Sequence, residues 1–239
     1  MDYIFYILLG VSVVMATIFV IFSNGQKSLK SLLLKAGASF LFTALAVFAC
    51  FYKGYGTGIS AETEIAGLLF ILGFVASCFG DVILALPDWE RNQDLKQKFI
   101  LGGGSAFALA HILYFTAMVL LFGFAWYIIL IALVFAVFFY LYNVVFLKVD
   151  YGKMKYGIML YAFFVSFVTC QALYSLIALE GSLFSILLSA GFLLFYASDI
   201  VLMNIYFGAQ KNNKFNYYFN LGFYYSAQIL IATSLFFLI

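Results

Sequence analysis

The chain predicts an all-α membrane protein with eight transmembrane helices, built as two parallel four-helix repeats. Three observations lead there. The 239 residues are 67% hydrophobic and 9% charged, with a single proline, whereas a soluble domain averages about 45–50% apolar and about 25% charged. Apolar runs of about 20 residues recur from end to end, each able to cross about 30 Å of hydrocarbon. Two aspartates, Asp81 and Asp199, lie inside such runs in matching sequence surroundings half a chain apart.

The runs place helices at 3–22, 31–51, 64–86, 99–121, 125–146, 155–178, 183–207 and 215–238, with a break near Gly123. The first run lacks a basic leader and a small-residue cleavage site, so it reads as a retained helix rather than a signal peptide. Residues 1–239 therefore form a single integral membrane domain, with repeat halves 1–122 and 123–239. Cys50, Cys78 and Cys170 all fall within spans and read as free thiols packing like small hydrophobes. A net charge of +2 is too small to suggest nucleic acid, and no obligate protein partner is evident.

The basic residues indicate an orientation. Of twelve Lys and Arg, ten lie in the odd loops: Lys27 and Lys30; Arg91, Lys96 and Lys98; Lys148, Lys153 and Lys155; Lys211 and Lys214. Lys53 alone lies in an even loop, and Lys35 is inside the second span. By the positive-inside rule the odd loops are cytoplasmic and both termini face outward. In a bacterium this would be the inner membrane.

A carboxylate within a span costs at least about 2.5–3.5 kcal/mol on insertion scales, so such groups generally have a partner or a function. Gly73-Phe74 precedes Asp81 as Gly191-Phe192 precedes Asp199, and Gly80-Asp81-Val82 matches Ser198-Asp199-Ile200. Ala110-His111-Ile112-Leu113 then matches Ala227-Gln228-Ile229-Leu230 at nearly the same offset. Spans three and seven run the same way, which suggests repeats related by an axis along the membrane normal.

Asp81, Asp199, Lys35 and Tyr161 are placed in the cytoplasmic half, and His111 and Gln228 near the midplane, at 1.5 Å per residue. The pattern fits a polar cavity open to the cytoplasmic leaflet. Structural readings compete for several of these residues. Lys35 can snorkel or pair with one aspartate, and Asn204 and Gln228 can join helices through hydrogen bonds. Gly102-Gly103-Gly104 reads as close helix packing, since no Walker lysine or preceding strand accompanies it. One histidine cannot build a zinc site of three or four ligands, so neither a metal nor a cofactor is expected.

The stretches GDVILALP, FILGGGSAFALAHILY, YASDIVL and YYSAQILIATS, with Lys35 and Tyr161, resemble the YhhN-like lysoplasmalogenase family of integral membrane hydrolases. Lys35-Ala36 departs from the Lys-Pro common in that family. The resemblance implies hydrolysis of the vinyl ether bond of a lysoplasmalogen, a lysophospholipid substrate drawn from the membrane lipids. The products would be a fatty aldehyde and glycerophosphoethanolamine or glycerophosphocholine, and the catalytic aspartates would be Asp81 and Asp199. Lys35, His111, Tyr161, Asn204 and Gln228 would bind substrate or support the pair.

Vinyl ether hydrolysis needs a proton delivered to an alkene carbon, and water to capture the oxocarbenium ion that results. One protonated carboxyl and one carboxylate suit it, as in glycosidases. The sequence assigns neither role to a particular aspartate. A proton-coupled transporter uses the same observations, namely a parallel repeat and paired intramembrane acids. The absence of a polar path through the outer half weighs against it. A lipid sensor without turnover is the third reading.

Overall fold

The computed structural model describes residues 2–23, 29–53, 60–86, 92–208 and 213–238. Lys27, Arg91 and Lys211, used above for orientation, lie outside the described residues, as does the side chain of Lys53. The described residues form eight α-helices: α1 (Asp2–Ser23), α2 (Leu29–Lys53), α3 (Ala61–Ala85), α4 (Gln93–Phe122), α5 (Tyr127–Leu141), α6 (Lys155–Ala178), α7 (Leu183–Phe207) and α8 (Lys214–Ser234). Among the described residues α1 to α4, α6 and α7, and α5 together with the turn that continues it to Phe146, are long and apolar enough to cross a membrane. The eighth is a helix of 21 residues whose Lys214, Asn216, Asn220, Gln228 and five tyrosine and serine side chains in 217–226 make it more polar than the other seven.

Helix ends depart from the apolar runs where capping overrides hydropathy. α4 begins six residues before the apolar run because the Asn92 side chain accepts from the backbone N–H of Asp94 (2.9 Å) and of Leu95 (3.4 Å), capping a turn of charged residues. It ends at Phe122, where Gly123 takes φ +77°, a conformation glycine adopts without steric cost. The run 125–146 is not one regular helix. Its last turn, Tyr142–Phe146, is π-helical, with the Leu147 N–H donating to Tyr142 C=O at 3.2 Å. Asn143 is buried there and donates to Phe139 C=O at 2.9 Å.

In each run of four helices the same neighbours pack, α1–α2, α2–α3 and α3–α4 in the first, α5–α6, α6–α7 and α7–α8 in the second. Across the halves, α4 packs on α6 and α8 on α2. The core is aromatic, with Phe42, Phe70, Phe74, Tyr114, Phe192 and Phe195 at most 1% exposed. The outside is apolar as well. On α5, Ile129, Leu130, Leu133, Val134, Val137 and Phe138 are all exposed. A soluble monomer rarely tolerates so large a contiguous apolar face, whereas a lipid-facing helix requires one.

Two glycines bring helices into close approach. A Cβ on Gly73 would collide with the Tyr114 ring, and one on Gly191 with Ile231 and with the backbone of Ala227 and Ile231. The obstacle at Gly191 includes backbone, which cannot rotate away. Gly191→Ala is expected to cost about 1–3 kcal/mol by overpacking. Gly104→Ala, whose Cβ meets nothing within 4 Å, should melt within a few tenths of a kcal/mol of wild type or above it. Thermal unfolding of both in one detergent checks the contrast, and equal melting temperatures would contradict it.

Candidate functional site

α3 carries Asp81 one turn before its end, at 2% exposure. Three elements supply its partners. Lys35 and Ser39 are one turn apart on α2 and so share a face. The Ser39 hydroxyl donates to Asp81 Oδ2 at 2.6 Å, and Lys35 Nζ lies 3.5 Å from Oδ1. From α8 the Tyr224 hydroxyl donates to the same Oδ2 at 2.6 Å. Gln228, one turn further on, donates to Tyr224 Oη at 3.1 Å. Tyr225 lies 3.4 Å from the Ser39 hydroxyl and donates to the Lys35 carbonyl at 3.5 Å. Asp81 is thus met by two short hydroxyl donors and an ammonium, an arrangement that suits an anion.

Asp199 on α7, 3% exposed, is provided for differently. The Tyr161 hydroxyl of α6 donates to its Oδ2 at 2.6 Å, and among the described residues no cation stands within ion-pair distance of it. The adjacent Ser198 is tied to α8, with Asn220 Nδ2 donating to its carbonyl at 2.9 Å and its hydroxyl at 3.0 Å.

The two carboxylates share no hydrogen-bond partner. A continuous train of side chains joins them instead. Tyr224, bonded to Asp81, packs edge-on to Phe195 with ring centroids 5.5 Å apart. Phe195 packs on His111 at 4.9 Å, and His111 lies 5.8 Å from the ring of Tyr161, the donor to Asp199. His111 is 1% exposed, and neither ring nitrogen meets a hydrogen-bond partner among the described residues. Such groups call for an explanation, and here the histidine touches the ring of Tyr161, on the Asp199 side of the train.

Of the expected residues, Lys35, Gln228 and Asp81 form one cluster, and Tyr161, Asp199 and His111 the other. Asn204 stands apart, its side chain folded against Gly208 at the end of α7. Ser39, Tyr224 and Tyr225 belong to the first cluster and were not singled out from the sequence. Helical spacing is the signal that finds two of them, since Ser39 follows Lys35, and Tyr224 precedes Gln228, by four residues. No group of three or more His, Cys, Asp or Glu among the described residues is placed to hold a metal ion.

At the end of the bundle where the odd loops lie, a groove of about 160 Å³ opens between α4 and α6, with Leu84, Leu202 and Met203 contributed by α3 and α7. Its walls are mainly apolar rather than the polar lining expected from the sequence; Ser105, Tyr161 and Tyr206 are its hydroxyl-bearing side chains. Tyr161 joins the groove to Asp199. Phe107 also lines it and lies over Gly80, where a Cβ would strike its ring. Phe107 thereby separates the groove from Asp81 and from Tyr224, whose ring is 5.9 Å away and perpendicular.

These features define a class: a bundle of long apolar helices, apolar on its outer face, with two buried carboxylates and an apolar groove lined in part by the tyrosine that donates to one of them. Within that class the chain belongs to the YhhN family, whose model matches residues 30–235. The match takes in both aspartates, Lys35, His111, Tyr161 and Gln228. No curated protein and no solved structure matches the chain at a significant level.

Proposed function

We propose that the protein is a multi-pass membrane hydrolase that cleaves the vinyl ether bond of a lysoplasmalogen. It would release a fatty aldehyde and glycerophosphoethanolamine or glycerophosphocholine. The observation that carries this reading is the unlike provision for the two buried carboxyls in a YhhN chain. Asp81 faces an ammonium and two hydroxyl donors, and Asp199 faces one hydroxyl beside an apolar groove. All eight helices span in this reading, as two parallel four-helix repeats, with the odd loops cytoplasmic and both termini outside. The recurring neighbour pairs and the like roles of Gly73 and Gly191 support the repeat.

In the mechanism Asp199, on the groove side, protonates the alkene carbon of the vinyl ether that does not bear the oxygen. The electron pair of the ether oxygen forms the oxocarbenium ion, and water adds to the carbon bearing that oxygen, giving up a proton that restores the acid form of Asp199. The hemiacetal then collapses, the glycerol oxygen leaving with a proton. Asp81, held as a carboxylate, orients the water and offsets the positive charge, the division of labour of glycosidase pairs. For it to act on a chain in the groove, the Phe107 ring that separates the two must turn aside. Tyr161 fixes Asp199, Tyr224 and Ser39 fix Asp81, and His111 packs against the Tyr161 ring. Lys98, in the second turn of α4, and Lys153, in the turn before α6, attract the phosphate by charge.

Detergent-solubilised protein given a lysoplasmalogen should release aldehyde without any membrane to cross. Uptake of the lysolipid into sealed vesicles with no aldehyde formed would support a carrier instead and overturn the proposal.

A further inference from the structure

A single side chain closes Asp81 off from the groove. The Phe107 ring is 4% exposed and lines the groove. It lies over Gly80, the residue before Asp81, where a Cβ would come within 2.7 Å of it. Phe195 of α7 and Tyr224 of α8, the donor to Asp81, meet the ring edge-on, with centroids 6.0 and 5.9 Å away. The ring has no polar atom, so packing alone holds it there.

The same ring has a second place to lie. Aromatic side chains of a helix cover the turn before their own Cα, in one of two rotamers about χ1. For Phe107 that turn holds Gly103 and Gly104. Gly103 faces α3, where a Cβ would collide with Leu84 and come within 3.3 Å of the Gly80 carbonyl. Gly104 faces the groove, and a Cβ on it would meet no atom within 4 Å. The groove, at about 160 Å³, is close in size to an apolar cavity of about 150 Å³ that takes up benzene, so a phenyl ring fits within it. We infer that Phe107 is a gate whose ring turns from Gly80 to the open space at Gly104, and that this turn opens Asp81 to the groove. The turned ring covers the Gly104 side of the slot and leaves the side toward Ala108 and Tyr161 free. The run Gly102-Gly103-Gly104 then has two uses, close packing on α3 at Gly103 and room for the ring at Gly104. The inference rests on the proposed hydrolase only for what the opening serves.

A thiol beside Asp81 reads the gate without substrate. Ser39→Cys puts one where the fully buried Ser39 hydroxyl now meets Oδ2 at 2.6 Å, in a protein also carrying Cys50→Ala, Cys78→Ala and Cys170→Ala. Its rate of alkylation by N-ethylmaleimide, in one detergent at one pH, follows the share of time the ring is turned. Phe107→Ala should raise that rate at least about tenfold, since a minor conformer holds about 10% of the population or less. Gly80→Ala, whose methyl takes the closed place of the ring, should raise it as well. Gly104→Leu and Gly104→Val crowd the second place and should lower it by about tenfold. Phe107→Ala combined with Gly104→Leu should stay as fast as Phe107→Ala, because no ring is left to turn. Gly222→Leu on α8, whose Cβ also meets open space away from the groove, should keep the starting rate. An unchanged rate in Phe107→Ala, or in both Gly104 variants, overturns the gate. A slow combined variant also overturns it, since leucine would then be blocking the path itself. The expected pattern in a protein that cleaves no lysoplasmalogen would sink the hydrolase reading and leave the gate standing.

Discussion

Asp199→Asn is expected to lower aldehyde release from a lysoplasmalogen by a factor on the order of 10²–10⁴, the usual contribution of a positioned acid or base. The amide cannot deliver a proton to the alkene carbon, yet its carbonyl oxygen can still accept from the Tyr161 hydroxyl that now meets Oδ2 at 2.6 Å. Since no cation pairs with Asp199 among the described residues, the substitution strands no opposite charge. Its melting temperature should therefore stay within about 4 °C of wild type, a change of no more than about 1 kcal/mol in a chain of this size. Near wild-type turnover would remove Asp199 from the mechanism. A large drop in melting temperature would show that its role is structural.

Lys35→Met is the second large effect, and it falls on stability. Asp81 is 2% exposed, and the Lys35 ammonium, 3.5 Å from Oδ1, is the cation beside it. Removing one partner of a buried ion pair costs about 3–5 kcal/mol, because the other charge is left uncompensated. Ser39 and Tyr224 still donate to Oδ2, so the lower end of that range is expected. Adding Asp81→Asn removes the stranded charge, and the double variant should recover most of the lost melting temperature. Activity should not return with it, because the carboxylate is gone. A double variant no more stable than Lys35→Met would mean that the ion pair does not hold α2 to α3.

The helices were legible because burial in hydrocarbon imposes long apolar runs, and the break near Gly123 shows as a glycine between two of them. What hydropathy missed was decided by local hydrogen bonding. The Asn92 cap carries α4 through a charged turn that reads as loop, and the π-helical turn at Tyr142–Phe146 leaves no mark in composition. At the site, Asp81, Asp199 and Lys35 stood out because charge is rare inside such runs. Ser39 and Tyr224 did not, since hydroxyls are common in this chain, with 18 tyrosines among its residues; the one mark they carry is the four-residue spacing from Lys35 and Gln228, and packing of α2 and α8 on α3 gives it meaning. That Asn204 lies away from both clusters, and that the groove is apolar, likewise depends on which helix faces which, and no single stretch encodes it.

The central claim concerns one bond, between the vinyl carbon and the glycerol oxygen, cleaved after proton transfer to the neighbouring alkene carbon. Hydrolysis by the purified protein in deuterated water tests it directly, with the aldehyde trapped as formed and the glycerol product analysed after a parallel reaction in oxygen-18 water. The mechanism predicts one solvent deuterium at the carbon next to the aldehyde, equal amounts of the two products and no labelled oxygen in the glycerophospho product. Heavy oxygen in that product, or no turnover by the wild-type protein, would contradict it.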